Sequence, residues 1–296
     1  MKLLPAILLP LLALLLAACG HDTAPATSTA AATTRPRIIS TVPAATLNLV
    51  LIGAADKLVG VTQWDAPYLP ITQKNLPVVG DYESMNYEQL IKLKPTTLII
   101  QTTPARITDR LKDFVASQHI ELVNMHFESI DDIWSSVRVL GKAADCEKDA
   151  ERAVTDAQAE LKKVADHYKN APHPKVVCLM NHSMLAGGKT FFDEMITAAG
   201  AENVGTKVGD GYPETTKETV VKLAPEVLIL CSSEEVDNGQ QLKPWHELSI
   251  PAAKSGRIYL TTDKTSLLPS IDVGKNVEAL AALIHQGDPP ASGGKP

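Results

Sequence analysis

The chain has 296 residues, of which 45% are hydrophobic and 21% charged, and its formal net charge is −6. This composition is typical of a globular protein. The negative balance argues against a protein that binds nucleic acid or a membrane surface through clusters of basic residues.

The opening of the chain, MKLLPAILLPLLALLLAACG, has the pattern of a secretory leader. The apolar run after Lys2, over residues 3–16, is too short for a membrane-crossing helix, which needs roughly 20 residues. Leu-Ala-Ala-Cys-Gly at residues 16–20 has lipobox spacing, so we predict a lipoprotein signal peptide over 1–18 and a lipid on Cys19. The alternatives are an ordinary signal peptide with a chance cysteine or an uncleaved anchor. The prediction places the protein outside the cytoplasm, anchored to a bacterial membrane.

Polar segments flank the predicted folded part. Residues 19–35 and 287–296 have no apolar period, so we predict a flexible tether and a disordered tail. About 250 residues lie between them, enough for one large core or two modest lobes. This part holds Cys146, Cys178 and Cys231. An odd number allows at most one disulfide plus a free thiol in an oxidising compartment.

The first half begins with an apolar strand, RIIS, at residues 37–40, followed by a helix that ends in LIGAAD at 51–56. Further on, residues 82–100 predict a short helix stopped by Pro95 and then a buried strand, TTLII. Strand and helix alternate, as in a lobe with a central parallel sheet.

A long amphipathic helix is predicted over residues 145–170. Its apolar residues recur at spacings of three and four, and Glu and Lys fill the other face. About 25 residues at 1.5 Å each give a rod of about 38 Å. We interpret it as a stiff single connector, the alternative being a surface helix within one domain.

The second half repeats the first. Residues 212–230 align without gaps on residues 82–100, with Tyr212 on Tyr82 and Pro225 on Pro95. KVVC at 175–178 and AAGAEN at 198–203 repeat the preceding strand and helix end. We therefore predict an α/β protein with two similar lobes, each with a central parallel sheet, joined by one long rigid α-helix. The predicted lobes are 36–144 and 171–286; the alternative is chance similarity between two β-α units.

This organisation, with RIISTVPAATLNLVLIGAADKLVGVT and LPVVGDYESMNYEQLIKLKPTTLII in that order, resembles the helical-backbone (iron-chelate/cobalamin type) periplasmic solute-binding proteins of ABC importers. The cobalamin-binding members are the most similar. The resemblance implies a non-enzymatic receptor without an intrinsic cofactor, which holds a metal chelate between its lobes. Cobalamin or another corrinoid is the favoured ligand, with a ferric siderophore or haem next. It also implies delivery to an ABC permease dimer with its ATPase, and we expect a monomer.

The resemblance also implies ligand-binding residues. Cobalamin-binding proteins line their cleft with aromatic rings, and Trp64, Tyr82 and Tyr212 stand at matching positions. Such rings bury large areas of a flat macrocycle. His182, just after a strand, is expected at the cleft mouth as a ligand to the metal or as a hydrogen-bonding side chain. The alternative for the aromatic residues is that they cap the core.

One expected ligand contact is missing. The family usually carries an arginine after a proline near the C-terminus, and here Ser270 follows Pro269. A strongly anionic siderophore therefore loses one expected partner. We predict that Lys264 partly replaces this charge.

In this family one surface glutamate on each lobe docks the permease, and Glu88 and Glu218 match those positions. Each lies in the first turn of a predicted helix, after Asn86 or Thr216 as the N-cap. The alternative is that an acid there only complements the helix dipole, which is worth ~0.3–1 kcal/mol. Charge pairs of this kind mainly set orientation and encounter rate.

Two cysteines end strands that should be neighbours in the second sheet. A disulfide between Cys178 and Cys231 is therefore one prediction, and two free thiols are the other.

Two other classes of function, a metal-ion receptor and an enzyme or interaction lipoprotein, have sequence requirements of their own. A zinc or manganese receptor would need convergent histidines and carboxylates, but His126, His182 and His246 share no metal-binding spacing, so we predict no metal site. An enzyme or an interaction lipoprotein on the same fold would need a catalytic constellation or an exposed apolar patch, and the sequence shows neither.

Overall fold

The computed structural model describes residues 35–180, 183–232 and 239–286. The predicted signal peptide, Cys19, the tether up to residue 34, His182 and the tail 287–296 lie outside these ranges. The described residues comprise most of the two predicted lobes and the whole connector between them.

The first lobe is built on a four-stranded parallel sheet in the order β2-β1-β3-β4. The central strand β3 is buried along its whole length, because helices cover both faces of the sheet. The strands are β1 (Ile38–Ser40), β2 (Leu58–Gly60), β3 (Thr97–Ile100) and β4 (Glu121–Asn124), and the helices are α1 (Pro43–Leu51), α2 (Tyr87–Leu93), α3 (Asp109–Ser117) and α4 (Ile130–Ala143).

The predicted connector is a single helix, α5 (Glu147–Tyr168), of 22 residues. At 1.5 Å per residue it is about 33 Å long. Its apolar side faces the protein and packs on α4, and a Cβ added at Gly141 of α4 would overlap the Cβ of Ala150 of α5. Glycine is therefore needed at residue 141, since the two helices approach closely there.

The second lobe repeats this design in a five-stranded sheet. Strands β6, β5, β8 and β9 follow one another, β7 pairs with β5, and β6 alone is antiparallel. The few residues between β5 and β6 cannot form the crossover that a parallel pair requires. The strands are β5 (Lys175–Met180), β6 (Met184–Leu185), β7 (Glu202–Asn203), β8 (Val227–Cys231) and β9 (Ile258–Thr261), and the helices are α6 (Phe191–Ala198), α7 (Lys217–Leu223), α8 (Lys243–His246), α9 (Pro251–Ser255) and α10 (Val273–Ile284).

One hydrophobic core runs through both lobes. It extends from β1 and α1 across α4 and α5 to α6, α10 and β8. Two smaller clusters lie on the outer faces of the two sheets. The predicted fold class, α/β with two lobes built on parallel sheets, is confirmed, and one continuous core joins the two lobes.

Polar contacts also join the lobes. Asn48 of α1 is fully buried; its Nδ2 donates to the carbonyl of Pro269 (3.0 Å) and its Oδ1 accepts from the N–H of Ile271 (3.0 Å). On α6, Glu194 accepts from the N–H of Ile130, the first residue of α4, at 2.7 Å. These contacts hold the lobes at a fixed orientation beside the connector.

Candidate functional site

Tyr212 lies in a loop that is hydrogen-bonded to β6 and to the residues just after it. The N–H of Leu185 donates to the carbonyl of Pro213 (3.1 Å), and the N–H of Gly187 donates to the carbonyl of Gly211 (2.8 Å). Two backbone hydrogen bonds thus flank Tyr212 on either side. They restrain the backbone at Tyr212.

The electrostatic surroundings of Tyr212 include groups from both lobes. The residue keeps 41% of its surface exposed, yet burial raises the pKa of its phenol well above its usual value. Cys178, Cys231 and Glu128 raise this pKa further, in that order. Because Glu128 belongs to the first lobe, Tyr212 is within electrostatic range of both lobes.

Tyr82, the equivalent of Tyr212 in the repeat, has different surroundings. Its hydroxyl donates to the carbonyl of Arg106 at 2.5 Å, and its ring packs on the outer cluster of the first lobe. It lines a cavity of about 540 Å³ whose other walls include Glu83, which pairs with Arg106 at 2.9 Å, and Arg110. Neither Trp64 nor Tyr212 lines this cavity. Of the three predicted aromatic ligands, this cavity thus includes Tyr82 in its wall, and the common binding site of the three stays a prediction.

Trp64 lies on a loop after β2 and is 62% exposed. The loop is held by the buried carboxylate of Asp65, which accepts from the N–H of Thr62 (2.7 Å) and from its hydroxyl (2.5 Å). Burial raises the pKa of Asp65, although the hydrogen bonds from Thr62 act in the opposite direction. The exposed indole of Trp64 therefore lies on a loop that is held by these hydrogen bonds.

Tyr68 was missed by the sequence analysis. This half-buried residue lies four positions after Trp64 in the chain. Burial is the main cause that raises the pKa of its phenol, and the negative charges of Asp65 and Asp263 raise it further. Asp263 belongs to the second lobe, after β9. The pKa of Tyr68, like that of Tyr212, is thus raised in part by an acid on the opposite lobe. The clustering of Trp64 and Tyr68 in one polar loop was the available signal, but only the tertiary structure shows which lobe faces them.

Two further positions singled out in the sequence, Lys264 and Ser270, lie in the segment between β9 and α10. Lys264, the predicted replacement charge, is half-buried beside Asp263 in a turn whose Thr265 N–H donates to the Asp263 carboxylate (2.9 Å). Ser270 is buried between Pro269 and Ile271, the two partners of Asn48. The position at which the family resemblance predicts arginine is therefore part of the junction between the lobes.

Glu88 and Glu218 lie on matching helices, α2 and α7, of seven residues each. Glu88 is 78% exposed and pairs with Lys92 at 2.7 Å, one turn further on. The pKa of Glu218 is lowered, first by a hydrogen bond from its own N–H and then by the hydroxyl of Thr216. Both carboxylates are available at the surface, one on each lobe.

The cysteine pair lies inside the second lobe on the neighbouring strands β5 and β8. Cys178 is opposite Ile229 and Cys231 is opposite Met180, so the cysteines are diagonal neighbours. Both are free thiols, and their sulfur atoms are 3.3 Å apart. The hydrogen bond with Cys231, together with burial, raises the pKa of Cys178. The disulfide stays a prediction.

Within residues 35–180, 183–232 and 239–286, no group of three or more His, Cys, Asp or Glu side chains is placed to hold a metal ion. His126 has two acidic neighbours at the surface of the first lobe: its Nε2 lies 3.6 Å from Glu128 and 3.8 Å from Asp132. His182 falls outside the described residues. No helix in those same ranges is both long and apolar enough to cross a membrane.

The two lobes, the joining helix and the tyrosines at the junction define a two-lobed solute-binding protein. The chain belongs to the periplasmic binding protein family, since the model of that family matches residues 38–265. It is accordingly an extracytoplasmic binding protein and not an enzyme.

Relatives of known name agree with this family. The vitamin B12-binding protein of Pectobacterium atrosepticum is 27% identical over 234 residues, which cover 75% of this chain and 81% of the relative. An uncharacterized ABC transporter substrate-binding lipoprotein of Bacillus subtilis is 25% identical over 237 residues, covering 75% and 71% of the two chains.

Solved structures share the fold. The periplasmic heme-binding protein HutB of Vibrio cholerae superposes with a TM-score of 0.73 at 20% identity, covering 85% of this chain and 100% of that one. The vitamin B12-binding protein BtuF of the same organism gives 0.70 at 20% identity, covering 85% and 98%.

Proposed function

We propose that this protein is the receptor of an ABC importer and binds cobalamin or a related corrinoid at the junction between its lobes. The observation that carries the proposal is the placement of Tyr68 and Tyr212, each on one lobe and each within electrostatic range of an acid on the other. The exposed indole of Trp64 stands beside Tyr68 in the sequence. The vitamin B12-binding proteins among the relatives favour this ligand over haem or a ferric siderophore.

The chemistry of these side chains suits a macrocycle. Aromatic rings offer wide apolar faces to a flat ligand, worth about 25 cal/mol per Å² of apolar surface removed from water. A phenol with its ordinary pKa of about 10 is protonated at neutral pH. Tyr68 and Tyr212, whose pKa values are raised further by burial, can therefore donate hydrogen bonds to the amide groups on a corrin rim. We expect Lys264 and His182 to add polar contacts and Tyr82 a contact at the edge of the first lobe.

The proposal includes delivery to a membrane partner. Glu88 and Glu218 would each meet a basic side chain on one subunit of the permease dimer. Their exposure on equivalent helices supports this assignment. A lipid on Cys19 would keep the receptor beside that permease. The rigid junction through Asn48 and Glu194 predicts that ligand binding changes the lobe orientation little.

The ligand is tested by titrating the protein that begins at residue 20 with cyanocobalamin, haemin and a ferric hydroxamate siderophore. Of the three tryptophans, Trp134 and Trp245 are buried and only Trp64 is exposed, so quenching by a ligand at the junction should be lost largely in Trp64→Phe. We expect cyanocobalamin to bind with a Kd below about 10 µM, or more than ~6.8 kcal/mol of binding free energy. Binding of Zn²⁺ with none of the three chelates would contradict the proposal.

Anchoring is tested separately in the producing bacterium. We expect Cys19→Ser to move the protein from the membrane fraction to the soluble extracytoplasmic fraction. Retention of the serine variant in the membrane would show that the lipid assignment is wrong without affecting the ligand.

A further inference from the structure

Each of the two glutamate-bearing helices also exposes an aliphatic side chain. Ile91 on α2 is 50% exposed and Val221 on α7 is 38% exposed. Each lies three residues after its glutamate, and the two align in the ungapped repeat. Residues three apart on a helix share one face, so each helix presents an acid and an aliphatic group side by side.

Packing within the lobes does not account for these side chains. The preceding residues, Leu90 and Val220, are both fully buried and already anchor their helices to the sheets. A step of one residue along a helix turns the next side chain by about 100°, which points Ile91 and Val221 away from the core. Each side chain is partly covered by its surroundings, but half of Ile91 and more than a third of Val221 stay exposed to solvent.

The surface around Ile91 is shaped for contact. One hollow of about 700 Å³ has Ile91, Tyr87 and Phe114 in its wall, and another of about 310 Å³ has Leu90 and Ile120. Ile91 is therefore a ridge between two partly apolar hollows. A ridge of this kind fits a complementary apolar depression in a partner.

We propose that Ile91 and Val221 are the apolar anchors of permease docking, each entering a hollow beside the basic group that receives Glu88 or Glu218. This inference rests on the proposed function. Its partner is a dimer of equivalent membrane subunits, because like patches on two repeated lobes match a partner that offers the same surface twice. An acid beside an aliphatic anchor requires a cation beside an apolar hollow on each subunit.

The lysines on the same helices have a defined role in this arrangement. Before docking, Lys92 forms an ion pair with the Glu88 carboxylate at 2.7 Å. On the other helix, the charges of Lys217 and Lys222 contribute to the lowered pKa of Glu218. Exposed pairs of this type are weak and exchange readily. The permease cation replaces the lysine when the receptor docks.

The experiment measures binding of the full chain to its ABC permease and ATPase complex in nanodiscs. The variants are Ile91→Ser, Val221→Ser and the double substitution. Glu88→Ala with Glu218→Ala is measured in parallel. Val139→Ser, at an exposed valine on α4, is the matched control. We expect about tenfold weaker docking for each single serine variant, a larger loss for the double variant and no loss for the control.

The outcomes separate this inference from the receptor function. Ile91→Val and Val221→Ile should restore docking, and cobalamin affinity should match wild type in every docking variant. Urea unfolding checks that each variant is folded under the conditions of the binding measurement. If the glutamate variants lose docking but the serine variants keep it, the apolar anchors are wrong and the receptor function stands. Equal loss in Val139→Ser would also overturn the anchors. If the wild-type chain does not bind the complex, both proposals fail.

Discussion

The segments α2–β3 and α7–β8 follow the same plan but treat their tyrosines differently. Both helices have seven residues, a polar N-cap whose side chain accepts a backbone N–H, and a C-terminal residue with φ 47°. Yet Tyr82 bonds to a carbonyl of its own lobe, whereas Tyr212 reaches the charge of the opposite lobe. The comparison shows that the repeat preserves the packing of the helix and strand, while the neighbouring loop decides whether the tyrosine is structural or faces the junction.

The junction itself breaks the symmetry of the repeat. Two hydrogen bonds of Asn48, on α1, tie the first lobe to the chain that precedes α10. We expect Asn48→Ala to lower the free energy of unfolding by about 2–4 kcal/mol, because the Ile271 N–H and the Pro269 carbonyl lose their partner in a buried place. Urea unfolding measures the loss.

Asn86→Ala is the comparison for this variant, since Asn86 is an exposed N-cap of α2. Loss of a cap is expected to lower stability by about 1 kcal/mol. An Asn48→Ala variant no less stable than Asn86→Ala would contradict the importance of the junction.

The tyrosine comparison predicts an effect on ligand affinity. We expect Tyr212→Ala to weaken cyanocobalamin binding about tenfold or more and Tyr82→Ala about threefold, because the Tyr82 hydroxyl is already engaged within its own lobe. Isothermal titration of both variants measures the difference. Equal losses would show that the repeat, and not the loop environment, sets the contribution to binding.

The shared helix ends predict a smaller effect that should be the same in both lobes. Lys94 and Ala224 have left-handed backbone conformations that glycine adopts without strain. We expect Lys94→Gly and Ala224→Gly each to stabilise the protein by about 0.5–1 kcal/mol in urea unfolding. Ala159→Gly, in the exposed interior of α5, is the control and should destabilise by about 1 kcal/mol. Destabilisation by either of the first two glycines would contradict the strain argument.

The smallest effect concerns alkaline pH. The pKa of Tyr212 is raised in the folded protein, so the protonated phenol favours folding below the ordinary pKa of about 10, and this contribution is lost as pH rises beyond it. We expect Tyr212→Phe to match wild type near neutral pH and to lose less stability than wild type on moving above about pH 10. Unfolding curves at both pH values test this. An identical alkaline loss would mean that the Tyr212 hydroxyl is not desolvated.

The sequence by itself predicted much of the fold. Alternation of apolar strands with helices stopped by Pro95 and Pro225 gave two parallel-sheet lobes, because these signals depend on neighbouring residues. The helical spacing over 145–170 contains the observed α5, Glu147–Tyr168, for the same reason. The ungapped repeat likewise predicted that Glu88 and Glu218 lie on equivalent helices.

Only the tertiary structure decided which side chains meet across the junction. Asp263 lies near Tyr68, and Glu128 near Tyr212, although each pair is far apart in the chain. The diagonal placement of the two cysteines likewise follows from the register of β5 against β8, which a one-dimensional pattern does not specify. Periodicity fixes which face of an element is buried, but the encounter of two distant loops depends on how whole lobes pack. The sequence therefore determined the lobes, and the packing around α5 determined the junction.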